Sequence, residues 1–276
     1  MRSPPKSCGR PSARIVQSTS GWCRNSEAAE GATWGRWAAG FWGFVGGASL
    51  LLGALVGIYA GASRRTIATV MALGAGVLIS SVAFELMNEA YQIGGFDASA
   101  LGLLLGAVAF FFADRAVNRR GGARRKNPGD KQGDSANAIA IGALMDGIPE
   151  SAAIGISLLE GGNISAALVA AVFLSNVPEG LSSASGMKRA GRPAAQILGL
   201  WGGVTLVSAL AALLGYFFLA GASEDVVASI QAFAAGAILT MLASTMMPEA
   251  YEEGGEVVGI VTAAGFLLSF VLSHLA

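Results

Sequence analysis

The chain has 276 residues, of which 13% are charged, 53% are hydrophobic and 39 are glycine. A soluble chain carries roughly 25% charged residues, so this one cannot cover its surface with charge, and a bilayer must replace water around most of it. Its 18 basic residues balance its 18 acidic ones. That leaves no basic excess to neutralise phosphates and excludes a nucleic-acid partner.

From the N-terminus, residues 1–36 are polar and rich in Ser, Gly and Arg, and read as a disordered tail. No compact apolar stretch separates its basic start from Trp34, so a cleaved secretory signal is not expected. Cys8 and Cys23 both fall in this tail, which leaves neither a disulfide framework nor a thiolate metal site. A membrane-crossing helix needs about 20 mostly apolar residues. Such stretches recur over 37–63, 66–91, 98–117, 136–159, 163–187, 193–221, 226–251 and 256–275, with a basic loop at 118–135. Unpaired backbone is too costly in lipid for anything but helices or a closed barrel, and the alternation of a barrel is absent. The expected fold class is therefore an all-α integral membrane protein of eight transmembrane helices spanning 37–276.

Lys and Arg set the orientation. Outside the tail there are twelve, clustered at Arg64 and Arg65, from Arg115 to Lys131, and at Lys188, Arg189 and Arg192. All three clusters fall in odd-numbered loops. That side is expected to be the cytoplasm, with both termini outside the inner membrane. The six basic residues of the tail run against this reading.

The second and seventh spans repeat each other. Residues 75–95 (AGVLISSVAFELMNEAYQIGG) align without gaps on 235–255 (AGAILTMLASTMMPEAYEEGG), with nine identities in 21 positions. Spans five apart cross in opposite directions, so the copies are inverted. Two inverted groups of three helices around a central pair make a 3+2+3 arrangement, an architecture associated with alternating access.

The central pair carries the chemistry. Span four holds Asp146-Gly147-Ile148-Pro149-Glu150-Ser151 and span five holds Ser175-Asn176-Val177-Pro178-Glu179-Gly180. Asp146 and Glu150, four apart, share one helical face, as do Asn176 and Glu179, three apart. Each carboxylate at bilayer depth costs on the order of 3 kcal/mol. Neither span contains Lys or Arg, so these acids must be protonated or must bind a cation that visits. Pro149 and Pro178 have no N–H to donate, which releases the carbonyls of Met145 and Leu174. Oxygen ligands of this kind suit hard or borderline divalent cations.

With these motifs the chain resembles the ZIP (Zrt-, Irt-like) family of divalent metal transporters, over roughly residue 37 to the C-terminus. The resemblance implies eight helices in the 3+2+3 arrangement and a metal centre on helices four and five. Asp146 stands at the family's helix-four histidine position, Gly147 at its asparagine and Glu150 at its bridging carboxylate. In helix five, Ser175 and Asn176 take the polar positions and Glu179 the second bridging carboxylate. Two departures matter: the histidine is missing, and residues 194–220 supply no carboxylate for a second metal. The expected centre is one metal held by Asp146, Glu150 and Glu179, with Asn176 or Ser175 assisting. A carboxylate in place of imidazole hardens the site and loosens any preference for Zn2+ over Fe2+ or Mn2+.

Glu85 and Glu89 are expected at the outer mouth of the pathway, and Glu249 at the inner one beside Glu252 and Glu253, where acidic funnels would concentrate cations. Asp114 next to Arg115 reads as a surface ion pair and His274 as interfacial. The spacings Gly43–Gly47, Gly53–Gly57–Gly61, Gly102–Gly106 and Gly199–Gly203 read as helix packing, and glycine-rich outer helices would permit a homodimer. No nucleophile–base pair or mid-membrane histidine is present, so an enzyme is not expected. No resident cofactor is required, because Zn2+, Fe2+ or Mn2+ is cargo. The alternatives are a non-transporting metal sensor or degenerate relative and, less favoured, an intramembrane metal-dependent hydrolase.

Overall fold

The computed structural model describes residues 19–117, 119, 136–159 and 165–275. The first half of the expected tail and nearly all of the loop at 118–135 lie outside them. Regular structure among the described residues is entirely helical: α1 (Thr19–Tyr59), α2 (Arg64–Ser81), α3 (Asn88–Val117), α4 (Ala136–Ser157), α5 (Ala166–Arg189), α6 (Ala194–Leu219), α7 (Glu224–Met241), α8 (Met247–Gly254) and α9 (Val257–Leu275). Two π-helical segments, Val82–Met87 and Leu242–Met246, join α2 to α3 and α7 to α8. Helix α1 thus reaches back into the second half of the expected tail.

Among the described residues, six helical stretches are long and apolar enough to cross a membrane: Trp37–Tyr59, Arg64–Val117, Ala166–Arg189, Ala194–Leu219, Glu224–Gly254 and Val257–His274. Their outer surfaces are apolar, with Ile260 76% exposed and Phe218 72% exposed. Residues such as these lose little in lipid and would be costly in water. These are the features of an all-α membrane protein. The Arg64–Val117 stretch runs for 54 residues, or about 80 Å at 1.5 Å per residue, against a hydrocarbon core of about 30 Å. It turns at Gly95, where φ is 69° and ψ is −168°. A Cβ is disfavoured at that φ, so Gly95→Ala should cost roughly 1–2 kcal/mol. Denaturation of the detergent-solubilised protein by SDS would measure it.

The inner face of each helix is closed by small residues that let backbones approach. Gly53 of α1 lies against the Val177 carbonyl of α5, and Gly180 of α5 lies against the Leu50 carbonyl of α1. Gly43 and Gly47 meet α6 at Ala212 and Ser208, while Gly102 and Gly106 meet the α7 carbonyls of Ser229 and Phe233. Gly61 and the Gly199–Gly203 pair do not fit the expected packing role. Gly61 forms a turn at φ 65°, and Gly199 and Gly203 have no neighbour within 4 Å. The spacing alone could not distinguish an inner stripe from an outer one.

The packing has a consistent internal pairing. Helix α3 lies on α7 and α9 on α2; α5 lies on α1 and α4 on α6; α5 touches α2 and α4 touches α7; α1 touches α6. Exchanging α1 with α6, α2 with α7, α3 with α9 and α4 with α5 turns each of these contacts into another of the set. Residues 160 apart correspond locally as well. Gly61 and Gly221 both have positive φ (65° and 102°), as do Gly95 and Gly255 (69° and 67°). Ser63 and Ser223 occupy the N-caps of α2 and α7. The order of buried and exposed residues over 81–90 recurs at every position over 241–250.

The π segments precede the shared Glu-Ala-Tyr in both copies. The Asn88 N–H donates to the Ala83 carbonyl and the Met247 N–H to the Leu242 carbonyl, each five residues back, which marks a π-bulge. Pro248 accounts for the second, since it cannot donate to the helix. The first has no proline; there the bulge follows the tertiary packing.

Candidate metal centre

Asp146 and Glu150 on α4, and Ser175, Asn176 and Glu179 on α5, are all buried; Glu150 is 1% exposed and Glu179 8%. Helices α4 and α5 run through Pro149 and Pro178 without interruption. The opening expected at each proline is therefore confined to the missing hydrogen bond. Gly74 of α2 packs closely against Leu174, whose carbonyl Pro178 leaves without its helical donor.

Helix α1 positions α5 more than α4 does. Leu50 and Gly180 bring the two backbones together one residue beyond Glu179. One turn away, the Asn176 amide nitrogen (Nδ2) donates to the Gly46 carbonyl at 3.1 Å. The Ser175 hydroxyl donates within its own helix to Val172 O at 3.0 Å. Both polar groups expected to assist a metal therefore already hold helix carbonyls. On the α4 side, Gly147 is free of crowding: a Cβ there would meet only Ser208 Oγ of α6, at 3.5 Å. Thr205 of α6 donates to Gly47 O of α1 at 2.9 Å, so α1 and α6 are hydrogen-bonded beside the central pair. Among the described residues, no three His, Cys, Asp or Glu side chains lie together as a metal-binding group.

The two carboxylates expected at the outer mouth are half-buried and have separate partners. Glu85, inside the first π segment, accepts from Ser165 Oγ at 2.8 Å. Ser165 is also the N-cap of α5, its oxygen accepting the Leu168 N–H at 3.1 Å. Glu89 accepts from Gln231 Nε2 of α7 at 2.8 Å. In a regular helix residues four apart share one face. The bulge between them turns Glu85 towards α5 and Glu89 towards α7.

The opposite end differs. Glu249 and Glu253 line a small cavity together with Arg64, Arg189, Met71 and Ser182. Arg64 pairs with Glu253 at 3.0 Å. This mouth is therefore a mixed-charge site, where an acidic funnel is expected from the sequence. His274 is exposed and bonds Phe270 O at 2.8 Å through Nδ1. It belongs to the helix end.

Ser165 and Gln231 belong to no motif of the sequence, and the tertiary structure brings them to Glu85 and Glu89, while Arg189, one of the basic cluster that sets the orientation, reaches the cavity of Glu249. Gln231 had a signal, as an amide inside an otherwise apolar span. Ser165 had none, because its role depends on where the end of α5 meets the first bulge. No family model and no curated protein sequence matches this chain.

Proposed function

We propose that the chain is a divalent metal transporter of the ZIP type, with eight membrane-crossing helices in a 3+2+3 inverted-repeat arrangement. The observation that carries this reading is the burial of Asp146, Glu150 and Glu179 on two proline-bearing helices inside an apolar helical protein. Acids at bilayer depth mark ion pathways by default, because their cost must be offset by a function. The eight crossings arise when the long Arg64–Val117 stretch divides at Gly95 and α4 is added. The paired packing, paired bulges and paired positive-φ glycines support the inverted repeat. Arg64, Arg65, Lys188, Arg189 and Arg192 place their end in the cytoplasm, so α1 starts outside.

In this reading Zn2+, Fe2+ or Mn2+ enters past Glu85 and Glu89, loads at Asp146, Glu150 and Glu179, and leaves past Glu249. The two bulged helices flank the central pair, and a π-bulge is a helix irregularity frequent at functional sites. The sequence contains no ATP-binding motif, so movement is downhill or ion-coupled. Downhill uptake of Zn2+, Fe2+ and Mn2+ into proteoliposomes tests the reading; absence of flux for all three metals would overturn it.

Replacing Asp146 with His should restore an imidazole and move metal competition towards Zn2+ by about tenfold, the lower end of what altered ligation changes. Uptake of mixed metals, counted by mass spectrometry, measures the shift. A non-transporting metal-binding relative is the second reading. It is favoured by the engagement of Ser175 and Asn176 with helix carbonyls, and it predicts calorimetric binding without flux.

A further inference from the structure

The end of the protein away from the arginines holds a second cluster, and its chemistry differs from that of the centre. Glu85 and Glu89 are held by neutral donors, Ser165 and Gln231. They stand four residues apart on the same helical stretch, on either side of the end of the first π segment. Among the described residues neither forms an ion pair. At the arginine end, by contrast, Glu253 meets Arg64 directly. A hydroxyl and an amide orient two carboxylates without cancelling their charge.

Gln231 supplies the independent observation. It is 0% exposed, its nitrogen is committed to Glu89, and its oxygen Oε1 has no hydrogen-bond partner. A buried amide oxygen without a donor is costly and rare in folded proteins. The oxygen shares one carbon with the nitrogen that holds Glu89, so it lies within a few ångströms of that carboxylate. A cation bridging Glu89 and Gln231 would satisfy it while leaving the N–H bond in place.

The internal repeat shows that packing does not demand this amide. Position 71 lies 160 residues before Gln231 and holds Met71, of similar length, in the cavity that Glu249 also lines. Glu89 and Glu249 are equivalent in the two copies. The copies therefore place a thioether in the cavity that one glutamate lines and an amide in a hydrogen bond to the other. The acid Glu85 has the neutral Thr245 as its counterpart, whereas the acid that shares the cavity of Glu249 is Glu253, which pairs with Arg64. The difference between the two ends is therefore one of charge balance, with arginines beside the acids at one end and neutral donors at the other.

We propose that Glu85, Glu89 and Gln231 form a second divalent-cation site, made of oxygen donors, with Ser165 holding Glu85 in position. Carboxylate and amide oxygens are hard ligands, which suit Mn2+, Ca2+ or Mg2+ and give no advantage to thiolate- or imidazole-seeking metals. Both carboxylates are partly exposed at the protein surface. The role of the site as a loading station rests on the transport reading above; the binding itself does not.

The test is Mn2+ binding to the full chain in lipid nanodiscs, read by loss of the free-ion paramagnetic resonance signal. The background is Glu150→Ala with Glu179→Ala, which removes the central carboxylates. That background is expected to retain one Mn2+. Adding Gln231→Met, which copies the residue at position 71, should weaken it by about tenfold or more. Gln231→Glu should tighten it, by adding charge to the same oxygen position. If Gln231 merely caps Glu89, Gln231→Glu would instead set two acids against each other and bring no gain in binding. Should Gln231→Met fail to yield monodisperse protein, Glu85→Gln at its half-exposed position decides the matter with the same expected loss. Background protein that binds no Mn2+, while the wild type binds one, overturns the outer site and leaves the central reading standing. Equal binding by wild type and background does the reverse. Unchanged affinity in Gln231→Met overturns the proposal outright.

Discussion

Proteoliposomes containing the Glu150→Ala, Glu179→Ala double variant are expected to take up metal no faster than empty vesicles. Both residues are buried, at 1% and 8% exposure, and sit one residue after the prolines of α4 and α5. Outer-shell partners of a metal alone change affinity by 10–100-fold. Removing two carboxylates that would contact the metal should therefore lower uptake by more than about 100-fold. The fold must survive the change for the loss to be read as transport, because removing one partner of a buried interaction is destabilising. Retained helical circular dichroism and monodispersity would confirm that survival, and stopped-flow uptake of Mn2+ and Zn2+ would measure the loss. Unchanged transport would remove the central pair from the pathway and with it the transport reading.

The second large effect is structural. Gly180→Leu should prevent stable folding, because its side chain would be driven into the Leu50 carbonyl of α1. Overpacking a core costs typically 1–3 kcal/mol when side chains can yield. Here the obstacle is backbone, so the cost should exceed that range. The same clash would push Glu179 and Asn176 away from α1, breaking the bond from Asn176 to Gly46. Gly199→Leu is the matched control. It has the same change of volume but no neighbour within 4 Å, and should leave stability within about 0.5 kcal/mol, as surface changes usually do. SDS denaturation midpoints of the two variants give the comparison. A loss at Gly199 would mean that a second copy covers that face, in keeping with the homodimer that the sequence permits.

These two glycines show what pattern reading can and cannot reach. Gly53–Gly57 and Gly199–Gly203 have the same spacing in similarly apolar helices, yet one pair carries the α1–α5 crossing and the other faces outward. The direction in which a helix faces depends on its neighbours, and in lipid both faces are apolar, so the amphipathic signal that marks a core-facing side in water is absent. The same limit applies to the acids. Glu150 and Glu179 were legible because a carboxylate beside a proline in an apolar run is unusual on any face, and Asp146 because it stands one turn before Glu150. Ser165 and Gln231 acquire meaning only through Glu85 and Glu89, at separations of 80 and 142 residues.

The amino-acid sequence by itself determined that this is an all-α membrane protein with a lipid-like exterior, and that residues 75–95 and 235–255 repeat each other. Those properties follow from composition and local spacing, since in a bilayer the backbone must satisfy itself within each helix. Only the tertiary structure decided where the helices bulge, which glycines carry a crossing, and that one mouth is ion-paired while the other keeps two acids on neutral donors. Each depends on residues far apart in the chain meeting at a particular height in the bundle, and short-range pattern does not encode that height.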